Sequence, residues 1–139
     1  KIFGGRNGLT RDMAFRILGD PVKIGNHVYG GEYGRRNLGN TQPNDGYFFR
    51  GGGLIQLTGR ANYTKAAGAL GIDITRLPDL VRKDEAIAAQ AAMWWLWNNG
   101  LLKYFEADDI RGATRRINGG TNGLTDRINR LERAKKVLL

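Results

Sequence analysis

Three short polar side chains, Gln56, Thr58 and Asn62, follow a run of glycines and alternate with apolar residues. They belong to the segment FRGGGLIQLTGRANY, residues 49–63, whose glycines let the backbone turn and come close to another group. Amide and hydroxyl groups donate and accept hydrogen bonds, which suits an uncharged, hydroxyl-rich ligand. The pattern predicts one wall of a cleft, with a glycine-rich turn before an ordinary helix as the alternative.

Acid–base chemistry needs titratable side chains, and few of them precede this segment. Glu32 is the only glutamate before Glu85, and it stands in a glycine-rich stretch. It is a candidate general base or water-orienting group, and an exposed glutamate beside Arg35 and Arg36 is the alternative. Asp45 has a weaker claim, because Asn-Asp-Gly is typical of a turn.

Helices joined by glycine-rich turns must position these residues. Thr10 and Asp20-Pro21 are typical of helix starts, and the second helix is expected to end near Tyr29. Residues 30–53 are predicted as one long functional loop, with a small β-hairpin around 47–57. Helices are expected over Arg60–Leu70 and, as the central buried helix, over Asp84–Asn99.

The C-terminal part is predicted to be helical as well, over Asp108–Ile117 and Thr121–Leu138, so the fold class is all-α. Trp94, Trp95 and Trp97 could stack on sugars but are better explained as core residues, with Trp97 the best candidate for exposure. At 139 residues the chain is expected to be one domain, without cysteines and therefore without disulfides.

The net charge of +9 favours a polyanionic partner. From Lys103 onward nine Lys and Arg residues face five Asp and Glu residues. A solvated helix surface is the plain alternative, and no nucleic-acid-binding motif supports specific binding of nucleic acid. We expect the basic C-terminal helix to contact an anionic cell-envelope surface.

The segment at residues 49–63 resembles the signature of family 19 glycoside hydrolases, the lysozyme-like chitinases and phage endolysins. Three further blocks, in the expected order, resemble other parts of that family: Asn26–Gly31, Leu38–Gly46, and Arg116–Gly120 with Asp126–Ile128. One position departs from the signature, since Gly52 stands where the family usually has arginine. The resemblance implies a lysozyme-like all-α fold, no metal and no cofactor.

The resemblance also implies roles for individual residues. Thr58 matches the hydroxyl residue that helps to fix the attacking water, and Gln56 and Asn62 match sugar-binding amides. Tyr63, Asn118 and Arg127 match further substrate-binding residues of the cleft, where an arginine can brace a carboxylate. Without the resemblance, Asn118 is explained as a helix-end amide and Arg127 as a surface arginine.

A second departure concerns the catalytic acid. The family carries it in a His-Glu motif, whereas the single histidine here, His27, precedes Val28. We therefore expect the sequence to be the C-terminal majority of a longer endolysin. The resemblance implies a monomeric, peptidoglycan-degrading, inverting hydrolase that is made in the bacterial cytoplasm and acts at the cell wall. Chitin is the other substrate that is compatible with the resemblance. A non-catalytic glycan- or wall-binding module is the alternative function.

Overall fold

The computed structural model of the chain describes residues 6–138 and confirms the all-α fold. A short 3-10 helix, Arg6–Gly8, precedes ten α-helices in the described part of the chain. These are α1 Arg11–Ile17, α2 Pro21–Tyr29, α3 Gly31–Leu38, α4 Asp45–Phe48, α5 Arg60–Leu70, α6 Leu80–Lys83, α7 Glu85–Asn98, α8 Leu102–Glu106, α9 Ile110–Asn118 and α10 Leu124–Leu138. The chain forms two compact units, Lys1–Trp95 and Leu96–Leu139, and the boundary falls inside α7.

The first helices begin and end where local side-chain chemistry predicts. The Thr10 hydroxyl accepts a hydrogen bond from the Met13 N–H at 3.2 Å, and the Asp20 carboxylate accepts one from the Lys23 N–H at 3.0 Å. Each bond satisfies an N–H group that has no partner within its own helix. At the end of α5, Gly71 takes the left-handed conformation with φ 67°. The predicted bounds of α2 and α5 are therefore confirmed.

The stretch 30–53, predicted as one long loop, instead contains α3 and α4. An ion pair of 2.7 Å between Arg36 and Glu32, one turn apart, supports α3. The four-residue helix α4 packs on α2, where an added Cβ at Gly46 would lie 2.6 Å from the Gly25 carbonyl oxygen. A local ion pair thus supports α3 and packing on α2 supports α4, and both act against the low helix propensity of the glycines, from which a loop was predicted.

The small hairpin expected around 47–57 is reduced to one isolated antiparallel bridge, between Gly52 and Leu57. Its two backbone hydrogen bonds measure 3.1 Å and 2.8 Å. The flanking residues Gly53 and Gln56 have positive φ values of 67° and 55°, which turn the chain too sharply for strands to continue.

The core of the first unit lies directly beneath this bridge. Its large side chains are Phe49, Leu57, Tyr63, Ile74 and Val81, all buried. The rings of Phe49 and Tyr63 meet edge to face with centroids 5.2 Å apart, an arrangement that aromatic pairs favour. The core therefore fixes both ends of the glycine-rich segment.

Helix α7, predicted as the central buried helix, is buried along one side only. Ala88, Ala91 and Ala92 are buried, whereas Met93 is 61% and Trp97 71% exposed. Exposure of Trp97 agrees with the expectation from the sequence. Among the described residues, no helix combines the length and apolar character needed to cross a bilayer.

The second unit carries α8, α9 and α10. The Asp109 carboxylate caps α9 by accepting the Gly112 N–H at 2.7 Å, and Gly119, at φ 70°, ends that helix. No residue of α10 is fully buried. Two of its cations form ion pairs: Lys135 pairs with Asp108, and Arg130 pairs with Asp126.

Candidate functional site

The glycine-rich segment forms a closed turn that we call the signature loop, residues 49–59. The Gly59 N–H donates to the Phe49 carbonyl at 2.8 Å, and the Gly52–Leu57 bridge closes the loop a second time above it. Phe49, Leu57 and Gly59 are buried, while Leu54 and Gln56 are exposed. The loop thus has an anchored base and an accessible tip.

Gln56 and Thr58 lie together on one side of this loop. The Thr58 hydroxyl donates to the Gln56 carbonyl oxygen at 2.7 Å. A Cβ added at Gly51 would lie 2.6 Å from Gln56 Oε1 and 3.4 Å from Thr58 Oγ1, so both polar groups lie close to Gly51. Because the Thr58 hydroxyl has already donated its hydrogen, its free lone pair can accept a hydrogen from water.

Asn62 and Tyr63, on the first turn of α5, support the same loop. The Asn62 amide donates to the Thr58 carbonyl at 2.8 Å, and the Tyr63 hydroxyl donates to the Arg50 carbonyl at 3.3 Å. Tyr63 is fully buried, and burial raises its pKa although the charges of Arg82 and Arg50 oppose the shift. The structure therefore brings four predicted site residues together, and it places Tyr63 beneath the loop.

Arg82 on α6 also bonds to the start of the loop, and no local sequence pattern singles it out. Its guanidinium donates to the Phe48 carbonyl at 2.9 Å and to the Arg50 carbonyl at 2.8 Å. A Cβ at Gly52 would lie 3.1 Å from Arg82 Cγ. Arg82 therefore packs against the position at which the family signature usually has an arginine. No local sequence pattern predicts this contact, because 34 residues separate Arg82 from Phe48.

A cavity of about 570 Å³ opens beside the loop, and we call it the Gln56 cavity. Gly51, Gly53 and Gln56 line one side, and Asp84 and Glu85, at the start of α7, line the other. Asp84 accepts the Ile87 N–H at 2.9 Å and so caps α7, whereas Glu85 lies exposed in its first turn. No local sequence pattern distinguishes these two carboxylates from an ordinary acidic helix start.

The carboxylates singled out from the sequence have different surroundings. Glu32 is exposed on α3 and pairs with Arg36; within the described residues it makes no hydrogen bond or ion pair to the signature loop. Asp45 is only 1% exposed and accepts hydrogen bonds from Arg60 and, at 2.9 Å each, from the Thr41 and Gln42 N–H groups.

Burial alone would raise the pKa of Asp45. The hydrogen bonds from Arg60 and from the two backbone N–H groups, with the charge of Arg60, outweigh it and hold this pKa below its ordinary value. Asp45 is thus a buried structural carboxylate that ties residues 41–45 to α5.

Asn118 and Arg127, the remaining predicted site residues, belong to the second unit. The Asn118 amide, at the end of α9, donates to the Asn122 carbonyl at 3.1 Å across the turn. Arg127 is half-buried in the first turn of α10, next to Asp126. Within residues 6–138, no group of three or more histidines and carboxylates could hold a metal ion.

Comparison with protein families shows the family to which the chain is similar. The family model described as chitinase class I, the glycoside hydrolase family 19 model, matches residues 26–110. This range contains Glu32, the whole signature loop and both carboxylates of the Gln56 cavity, and it ends before Asn118 and Arg127.

Individual relatives agree with that match. A Haemophilus influenzae protein named glycosyl hydrolase family 19 domain-containing protein is 36% identical over 107 residues, 77% of this chain and 50% of that protein. An Arabidopsis thaliana endochitinase is 38% identical over 79 residues, 57% of this chain and 27% of the plant protein. Chitinase 8 of Oryza sativa is 43% identical over 53 residues, 37% and 20% of the two chains. The chain thus spans half or less of these relatives.

Proposed function

The chain belongs to glycoside hydrolase family 19, and from this premise we propose that it acts as a bacteriophage endolysin on peptidoglycan. The reaction is inverting hydrolysis of the β-1,4 bond between N-acetylated sugars. One observation carries the proposal: Gln56 and Thr58 converge beside Gly51, next to a cavity that Gln56 lines. Such a cavity can admit a sugar while the amide and hydroxyl groups orient it and a water molecule.

The chemistry needs an acid for the leaving oxygen and a base for the attacking water. In an inverting enzyme the two carboxyl groups stand about 6.5–9.5 Å apart, which leaves room for that water. Thr58 supplies an acceptor that fixes the orientation of the water, and Gln56 contributes an exposed amide for the sugar. Glu32 is the proposed base or water-orienting group, and Asn62, Asn118 and Arg127 are the proposed substrate-binding residues, whereas Tyr63, predicted as a further one, is buried and supports the loop instead.

The net charge of +9 favours peptidoglycan over chitin, because it suits an anionic cell wall, whereas chitin is neutral. The endolysin would be made in the bacterial cytoplasm and act at the wall, to whose anionic surface the basic helix α10 would attach.

Release of reducing sugar from purified peptidoglycan and from chitin tests the proposal. We expect the endolysin that includes the catalytic acid to release more sugar from peptidoglycan than from chitin, with the α-anomer as the first product by proton NMR. Heat-inactivated protein and the Thr58→Val variant serve as controls. Binding to peptidoglycan without any release of sugar would instead establish the second candidate, a glycan-binding module, which the exposed Gln56 amide also supports.

A further inference from the structure

A second cavity, of about 560 Å³, opens on the other side of the segment that leads into the signature loop. It shares no lining residue with the Gln56 cavity. We call it the cationic cavity, and the residues that characterise it are Tyr47, Phe48, Arg50, Arg76, Leu77 and Lys83.

Positive charge dominates its lining. Arg50, Arg60, Arg76 and Lys83 line the cavity, and Asp79 is its one carboxylate. Arg60 is neutralised by the buried Asp45. Three cations therefore remain against Asp79, an excess of two positive charges, and two of these cations, Arg76 and Lys83, are exposed to solvent.

Asp79 shows what kind of anion these cations accept. Its carboxylate lies 2.8 Å from Arg82, 3.4 Å from Arg50 and 3.5 Å from Lys83. Partial burial alone would raise its pKa, but the charges of Arg82, Lys83 and Arg50 prevail and hold the pKa of Asp79 below its ordinary value. The surrounding cations thus stabilise the ionised carboxylate of Asp79. Their positive charge exceeds its negative charge, so they can also bind a carboxylate of a ligand.

Apolar surface lies beside the charge. The Arg50 guanidinium stacks over the Tyr47 ring, 4.0 Å from its centroid, which restricts its orientation. Phe48 and Leu77 are 47% and 61% exposed at the same cavity. A matching ligand carries a carboxylate next to small apolar groups.

We propose that the cationic cavity binds the carboxylate-bearing stem peptide of peptidoglycan, while the glycan strand lies in the Gln56 cavity. The inference rests on the proposed function and sharpens it, because chitin has neither peptide nor carboxylate. Alanine methyl groups of the stem would contact Phe48 and Leu77, and a peptide carboxylate would pair with Arg76 and Lys83. Neutral chitin oligomers would leave this cavity empty.

Calorimetric titration of the full chain with the free stem tetrapeptide L-Ala-D-iso-Glu-meso-diaminopimelate-D-Ala tests the proposal. The same peptide with amidated carboxyl groups is the control ligand. We expect the free peptide to bind and the amidated one to bind about tenfold more weakly, since two exposed ion pairs are lost. The Arg76→Gln/Lys83→Gln double variant should show the same loss for the free peptide.

Both substitutions are at exposed positions, and Lys65→Gln, at an exposed position on α5 that lines neither cavity, is the matched control. Equal binding of the two peptides to the unaltered chain, or no binding of the free peptide at millimolar concentration, would overturn the proposal. Because the probe contains no sugar, its binding is read independently of hydrolysis. Peptide binding without hydrolysis would refute only the proposed enzyme activity, and hydrolysis without peptide binding would refute only this inference.

Discussion

The two cavities of the first unit are built from the same two stretches of chain but differ in charge and in lining. The Gln56 cavity has one arginine, Arg82, against the carboxylates Asp84 and Glu85, and it presents a flexible amide. The cationic cavity has four cations against Asp79, beside aromatic rings. The two cavities thus have similar volumes but suit different ligands. The Gln56 cavity suits neutral sugar hydroxyls and protonated or cationic groups, whereas the cationic cavity suits anions.

Consecutive residues produce this difference. In the run Arg82-Lys83-Asp84-Glu85, Lys83 lines the cationic cavity while its three neighbours line the Gln56 cavity. Arg50 and Gly51 divide in the same way. Net charge along a segment therefore says little about a site, because helix and loop geometry sends adjacent side chains to different surfaces.

Thr58→Val should break the comparison most strongly, because it removes the proposed water-orienting acceptor beside Gln56 and leaves the lining of the cationic cavity unchanged. We expect turnover to fall by about 10²–10³-fold, with the melting temperature within a few degrees of the unaltered protein, since valine keeps the volume. Rates on solubilised peptidoglycan and thermal melts measure both. Thr75→Val is the matched control, since Thr75 lines the cationic cavity; an equal loss of turnover there would contradict the assignment.

Asp45→Asn should weaken the cationic cavity, since Asp45 holds Arg60, which lines it, together with the backbone of residues 41 and 42. Replacing the buried carboxylate beside its half-buried arginine partner should lower the free energy of unfolding by about 2 kcal/mol, measured in urea. The exposed Asp73→Asn should cost far less.

The pH dependence of stability provides a second test of the same residue. Because the pKa of Asp45 is lowered in the folded state, its contribution is complete above the ordinary value of 3.8 and declines as the pH falls through the folded-state pKa. Asp45→Asn should flatten the acid limb of the stability curve. An unchanged limb would mean that other carboxylates govern acid unfolding.

Gly52→Ala tests the wall between the cavities. The new Cβ would lie 2.8 Å from the Tyr63 hydroxyl and 3.1 Å from Arg82 Cγ, so we expect a loss of about 1–2 kcal/mol in unfolding free energy. Combining it with Tyr63→Phe, which removes the nearest atom, should recover part of that loss. Gly68→Ala, on α5 with no neighbour within 4 Å, should instead stabilise by up to about 1 kcal/mol. Additive effects of the Gly52 and Tyr63 substitutions would refute the steric explanation.

Lys83→Gln and Glu85→Gln should have the smallest effects on stability, and each should alter ligand binding in one cavity only. Both positions are exposed, so each variant should stay within about 0.5 kcal/mol of the unaltered stability. Glu85→Gln should weaken binding of a chito-oligosaccharide about two- to fivefold, and Lys83→Gln should leave it unchanged. The reverse result would exchange the roles of the two cavities.

The sequence was sufficient where local chemistry decides the structure. Capping by Thr10 and Asp20, and termination at Gly71, predicted the helix ends because those signals act within a few residues. The signature likewise predicted that Gln56, Thr58 and Asn62 would meet. Whether they bind sugar remains a prediction.

Other features depend on contacts that no local pattern records. Helices α3 and α4 form against their neighbours despite their glycines. Arg82 bonds to carbonyls 32 and 34 residues away. In the sequence, Asp84 and Glu85 resemble an ordinary helix start. In the structure, they line a cavity together with residues of α6 and the signature loop.

The contacts of Asp45 also have a kinetic meaning. Its partners lie 3, 4 and 15 residues away along the chain, so this network can close early, before contacts of longer range form. The segment that supports the signature loop would then be the first part of the unit to become native. Asp45→Asn should accordingly slow folding and leave the unfolding rate nearly unchanged, a φ-value near one; a change confined to unfolding would show that the network forms late.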